Sequence, residues 1–118
     1  MNFRAVLEEI LERVEGAQAI TLIGLDGIAI DSVNPGRLPL EGLSAEFTSI
    51  VKGLNVSNTE LETGEVQQLA IATDRFVTFL SSVTSEYFIL MILSADGNYG
   101  RARFELLRAK TRLQDELS

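Results

Sequence analysis

Three segments of the chain carry apolar residues at helical spacing. The first covers residues 3–14, with glutamates and arginines at its other positions, and Gly16 is placed to end it. The second covers residues 40 to about 58. The third follows Asn98, whose side chain is suited to cap a helix over residues 99–117. The pattern therefore predicts three amphipathic helices.

Five short apolar segments lie between these helices. Strands are predicted over residues 19–24, 28–33, 65–73, 76–83 and 86–93. The first two flank Asp26-Gly27, and an Asp-Gly pair between apolar runs indicates a hairpin. The last three are separated by two-residue turns, which favours antiparallel pairing. Residues 87–93 show no polar alternation, so we expect this strand at the sheet centre with both faces covered.

The order of these elements is αββαβββα. A two-strand run and a three-strand run, each introduced by a helix, predict an α+β fold in a single domain over residues 1–118. We expect one mainly antiparallel five-stranded sheet with helices on both faces. No apolar run is long enough to span a bilayer and no signal peptide is evident, so the pattern also predicts a soluble, cytoplasmic protein.

The chain contains no cysteine and no histidine. A disulfide, a thiol nucleophile and an imidazole base are thereby excluded, so we expect no chemistry of its own, no metal and no cofactor. The glycine turns at 24–27 and 96–100 match neither a phosphate loop nor a dinucleotide fingerprint. The loop of Glu60, Glu62 and Glu65 could ligate calcium, but its spacing is not that of an EF-hand, which favours an exposed acidic loop.

The formal net charge is −7, and the acidic excess lies in residues 1–65. The negative electrostatic potential of this acidic surface repels phosphate groups, so we expect neither nucleic acid nor a membrane as a partner. Half of the basic residues lie in the last helix, as Arg101, Arg103, Arg108, Lys110 and Arg112. A phosphate-binding stripe is one interpretation, and a solvated face paired with glutamates of the first helix is the favoured one. Phe104 lies off the apolar stripe of this helix, either against the first helix or at a partner contact.

The second helix has two distinct non-polar faces. The face predicted to meet the sheet carries Leu40, Leu43, Phe47, Ile50, Val51 and Leu54. The opposite face is lined with small residues, and glycine inside a helix costs about 1 kcal/mol relative to alanine. We therefore predict that this face docks a partner, against the alternative of an unselective exposed face. The predicted partner-binding residues are Gly42, Ala45, Glu46, Ser49, Lys52, Gly53 and Val56.

The strand predicted over residues 65–73 lacks the usual blocks to edge pairing. It contains neither proline nor lysine, so as an edge it would be open to a second chain. The alternative is that Glu65 and its neighbouring glutamines keep a monomer soluble. We predict a homodimer whose interface includes Gln67, Gln68, Leu69, Ile71, Ser49 and Gly53.

Taken together, the segments resemble the Roadblock (dynein light chain) family, and its MglB-like prokaryotic members in particular. The resemblance covers nearly the whole chain. It rests on the order of five motifs: Gly24-Leu-Asp-Gly27, the apolar strand after it, Leu43-Ser-Ala45, Thr63-Gly64-Glu-Val-Gln-Gln-Leu69 and Asn98-Tyr-Gly100.

The resemblance implies homo- or heterodimers in which the strands matching residues 65–73 pair and the helices matching residues 40–58 lie together. Some family members bind Ras-like small GTPases, MglB-like members activate GTP hydrolysis, and eukaryotic members serve as light chains or scaffolds. We therefore expect a non-catalytic regulatory or scaffold module for a Ras-like small GTPase. The alternative is a structural light chain that bridges larger partners. Any stimulation of hydrolysis is expected to be indirect, and Arg37 is the one candidate for an arginine finger.

Overall fold

The computed structural model describes residues 2–117, and the predicted order αββαβββα is confirmed. The elements are α1 (Phe3–Arg13), β1 (Ala17–Gly24), β2 (Ala29–Val33), α2 (Leu40–Leu61), β3 (Gln68–Ala72), β4 (Phe76–Ser82), β5 (Tyr87–Ser94) and α3 (Tyr99–Leu117). None of the helices in this part of the chain combines the length and the apolar character needed to cross a membrane.

The five strands form one antiparallel sheet in the order β2-β1-β5-β4-β3. The predicted central position of β5 is confirmed, because β5 pairs with β1 on one side and β4 on the other. Alternate side chains of β5 supply two separate cores, as expected for a strand buried on both faces. Ile89 and Met91 pack under α1 and α3, whereas Leu90 and Ile92 pack under α2.

The helix ends follow local side-chain chemistry. Asn2 Oδ1 accepts a hydrogen bond from Ala5 N at 3.1 Å and caps α1, and Asn98 Oδ1 accepts one from Arg101 N at 2.9 Å near the start of α3. Gly16 has φ +87°, and a Cβ there would lie 2.5 Å from the Cα of Gly97. Only glycine therefore allows the chain to turn from α1 into β1 at this point.

The face of α2 that meets the sheet differs from the prediction. Ile50 and Leu54 are exposed, whereas Ser44 and Thr48 are buried. The β1–β2 turn explains the difference, because a Cβ on Gly27 would lie only 3.4 Å from Thr48 Oγ1. The turn therefore lies in van der Waals range of Thr48, whose hydroxyl is satisfied by donating to the Ser44 carbonyl at 2.8 Å.

The start of the third strand was also predicted too early, since β3 begins at Gln68 and α2 continues to Leu61. Glu62 ends the helix in a left-handed conformation, and Val66 N then donates to Asn55 Oδ1 at 2.8 Å. This hydrogen bond attaches the segment between α2 and β3 to the helix, so Val66 does not belong to the sheet.

Candidate functional site

The outer face of α2 points away from the sheet. All seven residues predicted for partner binding on this face are exposed: Gly42, Ala45, Glu46, Ser49, Lys52, Gly53 and Val56. Added Cβ atoms on Gly42 and Gly53 would meet no atom within 4 Å. Packing within the chain therefore does not require either glycine, although each weakens the helix by about 1 kcal/mol.

The second half of α2 extends past the core. Val51 is fully buried, but no residue from Lys52 to Leu61 is. One flank of the helix nevertheless carries apolar residues from its first turn to its last, and we call it the α2 flank: Leu43, Ile50, Leu54 and Leu61. The last three are 37%, 40% and 70% exposed. Apolar side chains at this spacing lie on one side of the helix, and within this chain that side is only partly covered.

Strand β3 is an edge of the sheet, with β4 as its neighbour. Gln67 O accepts from Ser82 N and Thr73 N donates to Phe76 O, both at 2.8 Å, so these two residues direct backbone groups toward β4. Because this direction alternates along an antiparallel strand, the backbone groups of Gln68, Ala70 and Ala72 are directed toward the open edge.

The residues predicted for the dimer interface fall on different parts of this region. Ile71 is 38% exposed and lies on the sheet face covered by α2, since its neighbour Leu69 packs into the α2 core. The side chain of Gln68 accepts a bond from Arg103 of α3 at 3.1 Å, and that of Gln67 accepts one from Lys110 at 3.2 Å. Ser49 and Gly53 belong to the outer face of α2.

Arg37 projects from a closed loop before α2. Asn34 fixes the loop, because its side-chain amide donates to the Leu38 carbonyl at 2.8 Å and its Oδ1 accepts from Leu38 N at 2.9 Å. Arg37 itself is exposed and has φ +53°. The loop therefore holds the backbone of Arg37 in a defined conformation shortly before the first turn of α2.

The basic residues of α3 have different partners: Arg112 pairs with Glu9 of α1, as the favoured interpretation expected, whereas Arg101 and Arg108 pair with Glu105 of α3 itself. Glu9 accepts from Arg112 at 3.0 Å and pairs with Arg13 at 2.7 Å. The hydrogen bond from Arg112 lowers the pKa of the Glu9 carboxyl, and the charges of Arg112 and Arg13 act in the same direction against the effect of burial. Sequence reasoning missed Glu105, which is only 3% exposed. Its spacing from arginines three and four residues away was the available signal.

No group of three or more acidic side chains within residues 2–117 is arranged to hold a metal ion, and Glu60, Glu62 and Glu65 are exposed. The features that stand out in the structure are surfaces: the outer face and flank of α2, the edge of β3 and the basic face of α3.

No family model matches the sequence, and no curated protein matches it. Solved structures do. MglC from Myxococcus xanthus is 31% identical over 98% of this chain and 99% of its own, with a TM-score of 0.68. A Roadblock/LC7 domain from Streptomyces avermitilis is 13% identical over 96% of this chain and 95% of its own, with a TM-score of 0.86. The gliding protein MglB from Thermus thermophilus is 18% identical over 95% of this chain and 85% of its own, with a TM-score of 0.84.

The α+β sandwich with its exposed second helix and open third strand is thus a Roadblock-type domain. The chain belongs to the Roadblock/LC7 family, among its MglB- and MglC-like members, which confirms the resemblance drawn from the sequence.

Proposed function

We propose that this chain is a homodimeric, non-catalytic regulatory module that binds a Ras-like small GTPase. The main support for the proposal is that α2 has two apolar surfaces that no other part of this chain covers. One is the α2 flank, and the other is the glycine-containing outer face. Family membership supplies the partner class, since the resemblance to Roadblock proteins implies both dimers and small GTPases.

The first surface supports the dimer. Ile50, Leu54 and Ile71 lie on the same side of the sheet, and each is more than a third exposed. Burying such side chains is favourable by about 25 cal/mol per Å² of apolar surface. The edge of β3 next to them offers unpaired backbone groups that a second β3 can match. A two-fold symmetric dimer would bury these apolar side chains and pair the two β3 edges at the same time, because each chain contributes the same surface to the interface.

The second surface supports the partner site. Once two α2 helices lie side by side, their outer faces form one platform. The side chains of this platform are small, so a partner can approach the helix backbone closely. They belong to Gly42, Ala45, Ser49 and Gly53. Glu46 and Lys52 stand at its margins and supply charges of both signs. Close approach accounts for two helical glycines that the fold itself does not require.

The chain carries no histidine or cysteine, so it has no imidazole or thiol to act as a base in GTP hydrolysis. We propose that the platform acts by reshaping the switch loops of the GTPase. Arg37 stands beside the start of the platform and is the one arginine positioned to approach a nucleotide bound there. Arg37→Ala therefore separates the two mechanisms: hydrolysis persists if the action is indirect and falls if Arg37 acts as a finger.

The proposal is tested by titrating the chain with purified Ras-like GTPases from the same organism, each loaded with GDP or with a non-hydrolysable GTP analogue. We expect saturable binding of one of them, and we expect Ser49→Arg to weaken it at least about tenfold, because an arginine prevents close approach at the centre of the platform. The matched control is Ser85→Arg, the same substitution at the exposed β4–β5 turn, which should leave binding unchanged.

Equal binding by Ser49→Arg and the control would contradict the location of the site. A wild-type dimer that binds no Ras-like GTPase in either nucleotide state would contradict the partner class and favour a light chain that bridges other proteins. Thermal unfolding near the wild-type midpoint and an unchanged solution mass for both variants establish that the fold and the dimer are retained.

A further inference from the structure

The exposed face of α3 combines an aromatic ring with fixed arginines. We define this α3 face as Arg101, Phe104, Leu107 and Arg108. Phe104 is 52% exposed and Leu107 is 46% exposed, although both lie within a regular helix. The guanidinium carbons of Arg101 and Arg108 lie 5.6 and 5.8 Å from the centroid of the Phe104 ring. One arginine comes a turn before the ring and the other a turn after it.

A single buried carboxylate fixes both arginines. Oε1 of Glu105 lies 2.9 Å from a nitrogen of Arg101 and 3.3 Å from a nitrogen of Arg108. Its other oxygen lies 3.8 Å from Arg13 of α1. Three guanidinium groups therefore surround one carboxylate, so the cluster keeps a net positive charge. A buried carboxylate needs such partners, because an uncompensated buried charge is strongly destabilising.

The arginines remain available to a ligand. Their side chains are 44% and 45% exposed, and each guanidinium carries five N–H donors, of which Glu105 engages only a part. Because Glu105 and the Phe104 ring restrict their rotamers, less conformational entropy is lost when a carboxylate binds them. The α3 face is thus a preorganised arrangement of donors around an apolar centre.

The distribution of charge indicates the chemistry of the occupant. Residues 101–112 contain five basic side chains and one acidic one, whereas the rest of the chain contains five basic and sixteen acidic ones. A long polyanion such as nucleic acid, or an anionic membrane, would be repelled by those acidic side chains. A short acidic segment meets only the basic patch, and apolar side chains within it can cover Phe104 and Leu107.

We propose that the α3 face binds an acidic segment of a partner protein, one that carries carboxylates on either side of an aromatic or aliphatic residue. Arginine clusters recognise acidic motifs in this way through paired hydrogen bonds. The site lies on the face of the sheet opposite to α2, so it is separate from the proposed GTPase platform and can be occupied at the same time.

The test uses a random peptide library displayed on phage, selected on the immobilised full chain at moderate ionic strength. We expect enriched peptides to combine aspartate or glutamate with phenylalanine, leucine or tryptophan. A synthetic peptide of the enriched sequence should bind saturably in fluorescence anisotropy, and its affinity should fall with added salt.

Two variants and one matched control locate the site. Arg108→Ala and Phe104→Ala should each weaken the peptide about tenfold, because each removes a group in direct contact with it. Arg75→Ala should bind normally, although Arg75 also lies over a phenylalanine ring, 5.6 Å from the centroid of Phe76, far from α3 in the sequence. Phe104→Ala keeps the Glu105 cluster intact, so its result does not depend on the stability of that cluster.

Enrichment of basic or purely apolar peptides would overturn the proposal, as would equal binding by wild type and both α3 variants. Tighter binding of a single-stranded RNA or of phosphatidylserine vesicles than of any selected peptide would assign the face to a polyanion instead. None of these outcomes bears on the GTPase platform, which the Ser49→Arg titration tests separately.

Discussion

Single residues in left-handed conformations set the ends of the elements around the α2 surface. Glu62 has φ +59° and follows the last residue of α2. Thr63 N donates to Asn58 O at 2.9 Å, which closes the helix end in a Schellman-type arrangement. Glycine is the usual residue there, because a side chain makes the left-handed conformation unfavourable. The glutamate therefore costs stability at the point where α2 extends past the core.

Glu62→Gly should stabilise the fold. Glycine removes the strain energy of the left-handed conformation, and this gain exceeds the free-energy cost of its greater backbone entropy in the unfolded chain. We therefore expect the free energy of unfolding to rise by about 0.5–1 kcal/mol. Glu60→Gly is the matched control, because the same substitution two residues earlier falls inside the helix and should lower stability by about 1 kcal/mol. Urea denaturation at one fixed chain concentration measures both, and a lower midpoint for Glu62→Gly would show that the glutamate side chain has a stabilising contact.

At the scale of elements, hydrophobic periodicity predicted all eight helices and strands in order. It succeeded for β5 because a strand covered on both faces is apolar at nearly every position. It failed for the inner face of α2 because this helix has apolar residues on several sides. Which side is buried depends on the contact of the helix with the β1–β2 turn at Gly27, and the sequence does not show that contact. Glu105 was missed for a similar reason: its burial depends on arginines brought in from two helices. Local pattern determines the element, whereas tertiary contact decides which side of it is covered.

The α2 flank makes a prediction at this scale. Leu54→Glu should convert the dimer to a monomer, because a carboxylate would be buried without a partner in the proposed interface. The monomer should stay folded, since Leu54 is 40% exposed and lies outside the core. Ile30→Glu is the matched control, because Ile30 is 42% exposed on β2 at the opposite edge of the sheet. Sedimentation velocity that gives both variants the same mass would place the interface elsewhere.

At the scale of the whole molecule, the sheet separates two surfaces of different character. One side carries α2, with its small-residue platform and its uncovered flank. The other carries α1 and α3, joined by ion pairs such as that of Arg112 with Glu9 at 3.0 Å. The open edge of β3 lies between them. The three proposed interactions therefore use separate parts of the molecule: dimerisation the open edge, the GTPase the α2 side and the acidic segment the α3 side.

The most direct measurement is the solution mass by light scattering at micromolar concentration. Wild type should give twice the chain mass of 12.9 kDa. Ala70→Pro should give the single-chain mass, because proline removes an N–H at the open edge of β3 without removing a bond to β4. Ala70→Ser keeps that N–H and should remain a dimer. A wild-type mass of 12.9 kDa, or an Ala70→Pro variant that stays dimeric, would contradict assembly through this strand.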